Sequence, residues 1–474
     1  MKHLADGAHV HLIAVCGTAM GSLASMLAER GFRVTGSDRH IYPPMSDYLA
    51  EAGIQVLEGF DESRLQPPPD LVVVGNAVSR GNPEVEATLN HRLPYAHLPE
   101  VIRDLFLSEK RPIIVTGTHG KTTTTALTAH LLSVAGRDPS FLVAGLPHNF
   151  PRPFNLGQGE EFVIEGDEYD SAFFAKYAKF LFYRPETVVI NNIEYDHADI
   201  YRNLSEIEDA FRRLINMVPS EGLIVANAED PVVTGLLSGS FAPVQSFGLC
   251  EGADWRATDI ESGPEGQRFS VVHNGIEVGR PHLRLHGIYN IRNTLAAIAC
   301  CGSAGVTFDE LEKGIESFSG IRRRQEIIGT IDGIILIDDF AHHPTSVEQT
   351  LQGLRKAYPE RRLWTVFEPA SASNARDIFE ARYVAAFAAA DRVLLAPVPR
   401  PERSGDAPRL QPDRLAAQLM KAGTQAQALA DAKAILQVLC SDVTRDDVIV
   451  FMSNGGFGGL QQKALAALRD LHGS

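Results

Sequence analysis

Residues 114–124 read IVTGTHGKTTT, and this stretch decides how the middle of the chain is expected to fold. An apolar run, residues 112–115, leads into it, and a helical pattern over residues 126–134 follows. The order of apolar run, glycine-containing loop and helical pattern is typical of a parallel α/β sheet. The stretch therefore predicts a loop that joins a buried strand to a helix.

The loop carries the residue types that bind a triphosphate. Gly117 and Gly120 let backbone N–H groups turn toward an anion. Lys121 can neutralise phosphate charge, and the Thr122 hydroxyl is placed to ligate Mg²⁺. The sequence thus predicts an ATP-type site, and its expected contacts are Gly117, Thr118, His119, Gly120, Lys121, Thr122 and Thr123.

The loop differs from the general pattern G-x-x-x-x-G-K-[ST] at one position. Val115 stands where the first glycine belongs, which leaves the shorter pattern G-x-x-G-K-T-T. The alternative is a turn rich in glycine and threonine that only caps a helix. The strand, loop and helix context favours the phosphate site.

Length and composition indicate a large globular protein. Its 474 residues allow about three domains of ordinary size, and 44% hydrophobic with 22% charged residues is typical of such proteins. The formal net charge of -15 argues against a nucleic-acid or anionic-membrane surface. We therefore expect no nucleic-acid partner and no membrane. The expected partners are small molecules, and the expected state is a monomer or weak homodimer.

The cysteines and the apolar runs indicate the compartment. The five cysteines form no C-x-x-C pair, which favours a reducing cytoplasm over a disulfide framework or a zinc site. The apolar residues 10–20 resemble the hydrophobic region of a signal peptide. However, His11 and Gly17 interrupt this apolar run, and a charged helix end follows it. No stretch reaches the roughly 18 apolar residues that span a bilayer.

The first hundred residues predict a Rossmann-like unit. Residues 9–15 and 32–36 read as strands around a helix, and Asp38 follows the second strand, where dinucleotide folds contact a ribose. A third strand over residues 70–75 ends at Asn76. The intervening loop reads C-G-T-A-M-G and not G-x-G-x-x-G, so a nicotinamide cofactor and a UDP group are equally compatible with it.

Two acidic stretches follow predicted strands in the middle of the chain. Residues 165–170, EGDEYD, come after the strand 161–164; a solvated turn suits Asp167, Glu168 or Asp170 singly, whereas Glu165 is better placed for a metal. The strand 187–190 leads into residues 191–199, NNIEYDHAD. His197 is either a surface histidine or, with Glu165, the ligand of a second Mg²⁺.

Further candidates lie beyond the β-rich residues 246–285. Asn290 and Asn293 share one face of an Ala-rich helix, where they either cap its start or read an adenine edge. The cations at residues 322–324 are either a solvated face or phosphate ligands.

Residues 330–474 predict another α/β unit, with strands over residues 333–337, 363–367, 392–396 and 447–451. Asp339 and His342 follow the first of these strands. The loop of residues 453–459, SNGGFGG, follows the last one; it is either a plain tight turn or a carboxylate site made of exposed N–H groups.

Taken together, these motifs resemble the Mur ligases of peptidoglycan synthesis along essentially the whole chain. The motifs G-T-H-G-K-T-T-T, E-x-D-E-x-D, N-x-E-x-D-H, N-x-x-N and D-D-F-A-H-H-P occur in the family order. The resemblance implies three α/β domains. These are a Rossmann-like UDP-N-acetylmuramate domain (1–108), a central ATP-binding domain with the phosphate loop (109–321) and a Rossmann-like ligase domain (322–474) for the acceptor and for closure over ATP.

Within the family, the chain is similar to the branch that takes UDP-N-acetylmuramate and, more narrowly, to its peptidoglycan-recycling members. Residues 42–46, 75–77, 81–83, 167–170 and 452–459 carry this finer resemblance. It implies joining of UDP-N-acetylmuramate to the tripeptide L-alanyl-γ-D-glutamyl-meso-diaminopimelate. The alternative is the L-alanine-adding branch, which usually has Ser in place of Tyr169 and lacks the loop of residues 452–459.

The resemblance also implies a mechanism and residue roles. The lactyl carboxylate attacks the γ-phosphate of ATP, and the acceptor amine then attacks the acyl phosphate. Lys121, two Mg²⁺ ions and either Arg323 or Arg324 stabilise the transferring group. The implied contacts are Thr122, Glu165 and His197 for metal; Asn290, Asn293, Asp339 and His342 for nucleotide; Gly17, Thr18, Gly21, Asp38 and Asn76 for the UDP-sugar; and Arg376, Ser453, Asn454 and Gly455 for the acceptor.

The chain departs from the family pattern at three places. No lysine lies between His197 and Pro219, where several members carry a carbamylated lysine, and arginine cannot replace it because guanidinium stays protonated. Tyr289 replaces the usual histidine before Asn290. Ala370 replaces an arginine of the recycling branch, a role that then passes to Arg376.

Two other classes remain as alternatives. A Rossmann oxidoreductase is favoured only by the loop of residues 16–21 and leaves the phosphate loop unexplained. A binding or regulatory homologue would keep the fold without catalysis, but the retained Lys121, Thr122, Glu165 and His197 argue against it.

Overall fold

A computed structural model describes residues 4–41, 45–196, 200–370, 376–398 and 409–472. The predicted α/β class with parallel-rich sheets is confirmed. Contacts divide these residues into two compact units: the first holds the chain up to Tyr195 with Ile200–Arg256 and Leu295–Gly314, and the second holds Ala257–Thr294 and the residues from Ile315. Within the described ranges, no helix is long and apolar enough to cross a membrane.

The first unit begins with a five-stranded parallel sheet in the order β3-β2-β1-β4-β5. Its strands are β1 (His9–Ile13), β2 (Arg33–Asp38), β3 (Gln55–Glu58), β4 (Leu71–Val74) and β5 (Tyr95–Ala96). Its helices are α1 (Thr18–Glu29), α2 (Met45–Glu51), α3 (Pro83–Asn90) and α4 (Leu98–Ile102). The three predicted strands are present as β1, β2 and β4. Strands β3 and β5, which are short and partly exposed, were not predicted.

The central sheet of the same unit has the order β12-β11-β10-β6-β9-β7-β8. Its strands are β6 (Arg111–Thr116), β7 (Ser140–Leu142), β8 (Phe154–Asn155), β9 (Glu161–Gly166), β10 (Thr187–Ile190), β11 (Leu223–Asn227) and β12 (Val244–Gly248). The helices are α5 (Lys121–Val134), α6 (Leu204–Ile215) and α7 (Pro231–Leu236). Because β6 pairs in parallel with both β9 and β10, the carboxyl ends of these three strands meet at one edge.

The stretch after the central sheet forms β13 (Trp255–Gly263), β14 (Gly266–His273), β15 (Ile276–Gly279), β16 (His282–Leu283), α8 (Ile288–Ser303) and α9 (Phe308–Ser317). Strand β13 and helices α8 and α9 each contribute residues to both units. In the second unit, β14 pairs antiparallel with β15 and β16, as expected of the β-rich stretch.

The second unit ends in a six-stranded sheet in the order β17-β18-β22-β19-β20-β21, which is parallel except for the hairpin of β17 and β18. The strands are β17 (Glu326–Ile331), β18 (Ile334–Asp339), β19 (Leu363–Phe367), β20 (Arg392–Leu395), β21 (Gln425–Ala428) and β22 (Val448–Met452). The helices are α10 (Pro344–Ala357), α11 (Glu380–Ala386), α12 (Pro412–Lys421), α13 (Ala432–Asp442) and α14 (Leu460–His472). The four predicted strands are present, and β17 and β21 were missed.

Gly75, which directly follows β4, lies close to the backbone at the end of β1. The N–H of Gly75 donates to the Ile13 carbonyl, 3.0 Å away, so the two backbones lie side by side where β1 and β4 end. A Cβ at Gly75 would lie 2.8 Å from that carbonyl oxygen. Since backbone cannot turn away as a side chain can, a glycine is required here.

We expect Gly75→Ala to destabilise the protein by about 1–3 kcal/mol, because the added methyl group overpacks a backbone contact. The measurement is the midpoint of urea unfolding, read by far-UV circular dichroism. Gly235→Ala is the matched control: a Cβ at Gly235 in α7 would have no heavy atom within 4 Å, so this change should leave stability equal or higher. Equal midpoints for Gly75→Ala and the wild type would contradict the close approach.

Candidate active site

The phosphate loop joins β6 to α5 and needs both of its glycines. Gly117 has a φ of 126°, and a Cβ there would lie 3.0 Å from the backbone nitrogen and oxygen of Asn192. Gly120 has a φ of 84° and directly precedes the first residue of the helix, Lys121. No side chain caps the helix at Gly120, and the first turn of a helix favours an anion.

The register of β6 explains the missing first glycine. Val115 lies inside the strand, is fully buried and pairs with Glu165 on β9. The strand continues to Thr116, so the loop proper starts at Gly117. A glycine at position 115 would fall within the sheet and not in the loop.

Side chains and backbone that follow β10 hold the loop in place. The Asn192 backbone oxygen accepts from the Thr118 N–H at 3.0 Å, and its side-chain oxygen accepts from the His119 N–H at 2.8 Å. The Asn191 amide donates to the Thr124 hydroxyl at 3.0 Å. Ligand binding was predicted at this strand end, but its role as the scaffold of the loop was not.

Lys121 is paired with a buried carboxylate. Its Nζ donates to the Gly117 carbonyl at 2.7 Å and to Glu168 Oε2 at 2.8 Å. Burial alone lowers the pKa of Lys121, but the negative charges of Glu168 and Asp167 outweigh burial and the pKa is raised. Lys121 is therefore a cation. The Glu168 and Asp170 side chains are both buried, so the solvated turn considered for each of them is wrong.

Thr122 and Glu165 supply oxygen atoms beside the lysine. The Thr122 hydroxyl donates to Glu165 Oε2 at 3.0 Å, and Glu165 Oε1 accepts from the Ala144 N–H at 2.7 Å. Burial, together with the negative charge of Asp167, raises the pKa of Glu165 to about 7. Hydroxyl and carboxylate oxygens are the ligands that Mg²⁺ prefers, and a cation would relieve the buried negative charge, so these residues fit the metal. His197 lies outside the described residues.

The loop after β1 is braced by the acidic residue that ends β2. Asp38 Oδ2 accepts from the Cys16 N–H at 2.8 Å, and the Ser37 carbonyl accepts from Ala14 and Val15. Helix α1 begins at Thr18, directly after Gly17. Gly21 lies on this helix, where a Cβ would meet the flexible end of the Met45 side chain. Gly17, Thr18 and Asp38 thus meet at the carboxyl end of the sheet, where open α/β sheets bind ligands.

Asn76, the remaining predicted UDP-sugar contact, follows β4 at the same end of that sheet. Its amide donates to the Asp170 backbone oxygen at 3.1 Å and to Asp170 Oδ1 at 2.9 Å. The first sheet is therefore linked to the acidic residues that face the phosphate loop.

In the second unit, Asp339 is buried at the end of β18. Its carboxylate accepts from the N–H groups of Gln325 and Ala341, each at 2.7 Å. Burial raises the pKa of Asp339 to about 6, although the positive charge of Arg324 opposes the shift. His342 lies three residues further on, and its backbone oxygen accepts from the Tyr383 hydroxyl at 2.6 Å.

The two candidate arginines both lie over the Phe340 ring, and the polar contacts of Arg323 reach a second loop. Arg323 Nη2 donates to the backbone oxygens of Ser453 and Gly455, each at 2.6 Å, and its Nε lies 3.4 Å from Asp338 Oδ2. The Arg324 guanidinium lies 4.7 Å from the centre of the Phe340 ring. In this arrangement Arg323 holds the glycine-rich loop that follows β22.

A carboxylate that follows the neighbouring strand, and that was not predicted as a site residue, contacts this loop. The Ser453 hydroxyl donates to Glu368 Oε2 at 2.5 Å and accepts from the Gly455 N–H at 2.9 Å. Glu368 follows β19, the neighbour of β22, so it could have been inferred from its position after an apolar strand. Asn454 lies between Ser453 and Gly455. The backbone of Arg376 pairs with that of Arg409 in an isolated antiparallel β-bridge.

Asn290 and Asn293 lie within α8 and not at its cap. The helix begins at Ile288, and the Asn290 amide donates to the His286 carbonyl at 2.8 Å. The Asn293 amide donates to Asn290 Oδ1 at 3.2 Å. An N-cap side chain would instead accept from the first helical N–H groups, so the plain capping role is wrong. Tyr289 accepts from the Gln325 amide at 2.8 Å.

Family profiles match the chain in three consecutive stretches. The Mur ligase family catalytic domain matches residues 9–110, the Mur ligase middle domain matches residues 115–301, and the Mur ligase glutamate ligase domain matches residues 323–455. The chain belongs to the Mur ligase family. The predicted three-domain α/β fold class is thereby confirmed, and a Mur ligase forms a carbon–nitrogen bond with ATP as co-substrate.

Individual Mur ligases resemble the chain from end to end. Two proteins named UDP-N-acetylmuramate–L-alanyl-γ-D-glutamyl-meso-2,6-diaminoheptandioate ligase, from Haemophilus influenzae and Escherichia coli K12, are 36% and 37% identical; each match covers 97% of this chain and 99% or 98% of the relative. A crystal structure of a murein peptide ligase from Psychrobacter arcticus has a TM-score of 0.73 at 35% identity, covering 98% of this chain and 99% of that one. The UDP-N-acetylmuramate–L-alanine ligase of Desulfitobacterium hafniense is 32% identical, and the match covers 94% of this chain and 97% of the relative.

His286, whose carbonyl accepts from Asn290, makes the stability of this Mur ligase depend on pH. Burial lowers the pKa of His286 to about 4 from its ordinary 6.5. The unfolded chain therefore binds a proton that the folded chain does not between these values, and stability falls as pH falls from 6.5 to 4. The loss attributable to His286 is about 3 kcal/mol.

We expect His286→Phe, which can keep the ring contact with Tyr358, to flatten the fall in the urea midpoint between pH 6.5 and pH 4. His472→Phe, on the C-terminal helix α14, is the control and should leave the slope unchanged. An unchanged slope in His286→Phe would show that His286 does not stay neutral in the folded chain.

Proposed function

We propose that this Mur ligase joins UDP-N-acetylmuramate to the tripeptide L-alanyl-γ-D-glutamyl-meso-diaminopimelate, with conversion of ATP to ADP and phosphate, in the recycling of cell-wall peptides. The observation that carries this proposal is the identity of 36% and 37%, over 97% of the chain, to two ligases named for this tripeptide. Relatives named for L-alanine are similar over most of the chain at lower identity, 32% in the Desulfitobacterium hafniense protein.

The residues around the phosphate loop support transfer of a phosphoryl group to a carboxylate. The lactyl carboxylate attacks the γ-phosphorus of ATP, ADP leaves, and an acyl phosphate forms. We assign to the loop N–H groups and the Lys121 cation, which lie together at the start of α5, the stabilisation of the charge that accumulates on the transferring group. Mg²⁺, held by Thr122, Glu165 and His197, would supply further charge neutralisation there. We propose that two Mg²⁺ ions bind at the site.

The second step forms the amide. The acceptor's amine attacks the acyl carbon, a tetrahedral intermediate collapses, and phosphate leaves. We assign acceptor binding to Arg376, Ser453, Asn454 and Gly455, and nucleotide contacts to Asn290, Asn293, Asp339 and His342. Arg323 or Arg324 assists the transfer. The UDP-sugar contacts are assigned to Gly17, Thr18, Gly21, Asp38 and Asn76.

The boundaries 1–108, 109–321 and 322–474 are proposed as the functional domains. We also propose a cytoplasmic protein, a monomer or weak homodimer, that acts on small molecules and not on nucleic acid or membranes. The formal net charge of -15 supports the absence of nucleic-acid and membrane partners, because it disfavours binding to anionic polymers and surfaces.

An acceptor panel tests the substrate assignment. With ATP, Mg²⁺ and UDP-N-acetylmuramate present, we expect phosphate release with the tripeptide, because the free amine completes the reaction. L-alanine alone is expected to support at most about a tenth of that kcat/KM, which corresponds to a discrimination of about 1.4 kcal/mol. Equal kcat/KM values for L-alanine and the tripeptide would overturn the recycling assignment in favour of the L-alanine-adding reaction.

Lys121→Ala tests the phosphate loop. We expect the substitution to lower kcat by at least about 10³-fold, since it removes the cation that neutralises the transferring phosphoryl group. The readout is tripeptide-dependent phosphate release at saturating substrates. Lys433→Ala, an exposed lysine on α13, is the matched control and should retain wild-type kcat. Substantial turnover by Lys121→Ala would contradict the role of the loop.

A further inference from the structure

Asp170 ties the acidic residues after β9 to the first sheet. Its carboxylate is buried, and it accepts from the Asn76 amide at 2.9 Å and from Lys176. The Asp170 backbone oxygen accepts from the same amide at 3.1 Å. Two bonds from one amide fix both the side chain and the backbone of Asp170. We call residues 165–177 the acidic strap.

The far end of the acidic strap is anchored on the first sheet by two aromatic side chains. A tight turn, closed by the Ala175 N–H on the Ala172 carbonyl at 3.0 Å, presents Phe173 and Phe174. Phe173 packs against the apolar cluster that includes Val74 of β4. Phe174 makes an edge contact with Tyr95 of β5, with 5.1 Å between ring centroids. The strap is therefore positioned by β4 and β5.

The near end of the acidic strap holds the phosphate loop. Glu165 accepts from the Thr122 hydroxyl, and Glu168 accepts from Lys121. The Glu168 backbone oxygen also accepts from the Tyr201 hydroxyl. Only one residue separates Glu168 from Asp170, so the chain between the two anchored carboxylates has little freedom to move independently.

Burial makes these contacts sensitive to charge. The Glu168 and Asp170 side chains are almost completely buried, and a buried carboxylate that loses its hydrogen-bond donor must move or take up a proton. A displacement of Asp170 would also move the backbone of Glu168, two residues earlier in the chain. The position of the Lys121 ammonium group would change with it.

We propose that Asn76 is a positioning residue of the ligase: through Asp170 and Glu168, it sets the position of Lys121 and thereby links the UDP-sugar end of the first sheet to ATP binding. Asn76 then acts on the nucleotide site without touching the nucleotide. Coupling between two sites is reciprocal. If a UDP-sugar orders the end of β4 and so strengthens ATP binding, ATP strengthens the binding of the UDP-sugar by the same factor. The inference rests on the proposed function.

A swap of the two partners tests the link. Asn76→Asp places a second carboxylate beside Asp170. The double variant, Asn76→Asp with Asp170→Asn, again has one amide and one carboxylate, but at exchanged positions. The measurement is the Kd of AMP-PNP with Mg²⁺ by isothermal titration calorimetry, without UDP-sugar. We expect Asn76→Asp to weaken binding by at least about 10-fold. The double variant restores the bond between the two side chains but not the bond to the backbone oxygen of residue 170, so we expect it to regain at least about 3-fold of the lost affinity.

Two further variants make the test specific. Asn90→Asp adds the same charge to an exposed residue at the end of α3 and should bind AMP-PNP like wild type. Asn76→Ala removes the donor without adding charge, and it is expected to weaken binding as well. Melting temperatures establish that each variant is folded, and if Asn76→Asp does not fold, Asn76→Ala with the double variant decides.

The outcomes separate the inference from the function. Wild-type AMP-PNP affinity in Asn76→Asp or Asn76→Ala, or failure of the double variant to regain affinity, would overturn the positioning role of Asn76. A wild-type chain that binds no AMP-PNP would instead contradict the ligase function on which the inference rests.

Discussion

The burial of two carboxylates, Glu165 and Glu168, against the first turn of α5 is the constraint on which the rest of the active site depends. A buried negative charge is costly unless donors and cations face it, and Thr122 and Lys121 meet that requirement. The parallel pairing of β6 with β9 places these carboxylates beside the loop because Val115 lies opposite Glu165. Strand register and active-site chemistry are thus set together.

The second unit repeats this arrangement with other residues. The strands β18, β22 and β19 are neighbours; β18 ends at Asp339, and Ser453 and Glu368 directly follow β22 and β19. Arg323 connects the loop after β22 to Asp338, so one guanidinium braces two strand ends. In both units, backbone N–H groups or a nearby cation face a carboxylate at the carboxyl ends of strands. These ends are where open α/β sheets place their ligands.

The sequence predicted the features that depend on local pattern. Thr187–Ile190 and Leu363–Phe367 were predicted with their observed bounds, because buried parallel strands read as continuous apolar runs. Gln425–Ala428 was missed, since alternation of Gln and Ala at a sheet edge carries little apolar signal. The pairing of Glu168 with Lys121 was also missed. The acidic residues of 165–170 look alike in sequence, and only the tertiary fold determines which of them is buried against the lysine.

The central claim is that the loop positions ATP to phosphorylate a carboxylate. Its most direct test uses UDP-N-acetylmuramate labelled with ¹⁸O in the lactyl carboxylate, with ATP, Mg²⁺ and the tripeptide in unlabelled water. Formation and breakdown of an acyl phosphate transfers one carboxylate oxygen to phosphate, so mass spectrometry of the released phosphate should show one ¹⁸O atom per molecule formed from fully labelled substrate. Released phosphate that contains no ¹⁸O, while the amide product forms, would contradict the account.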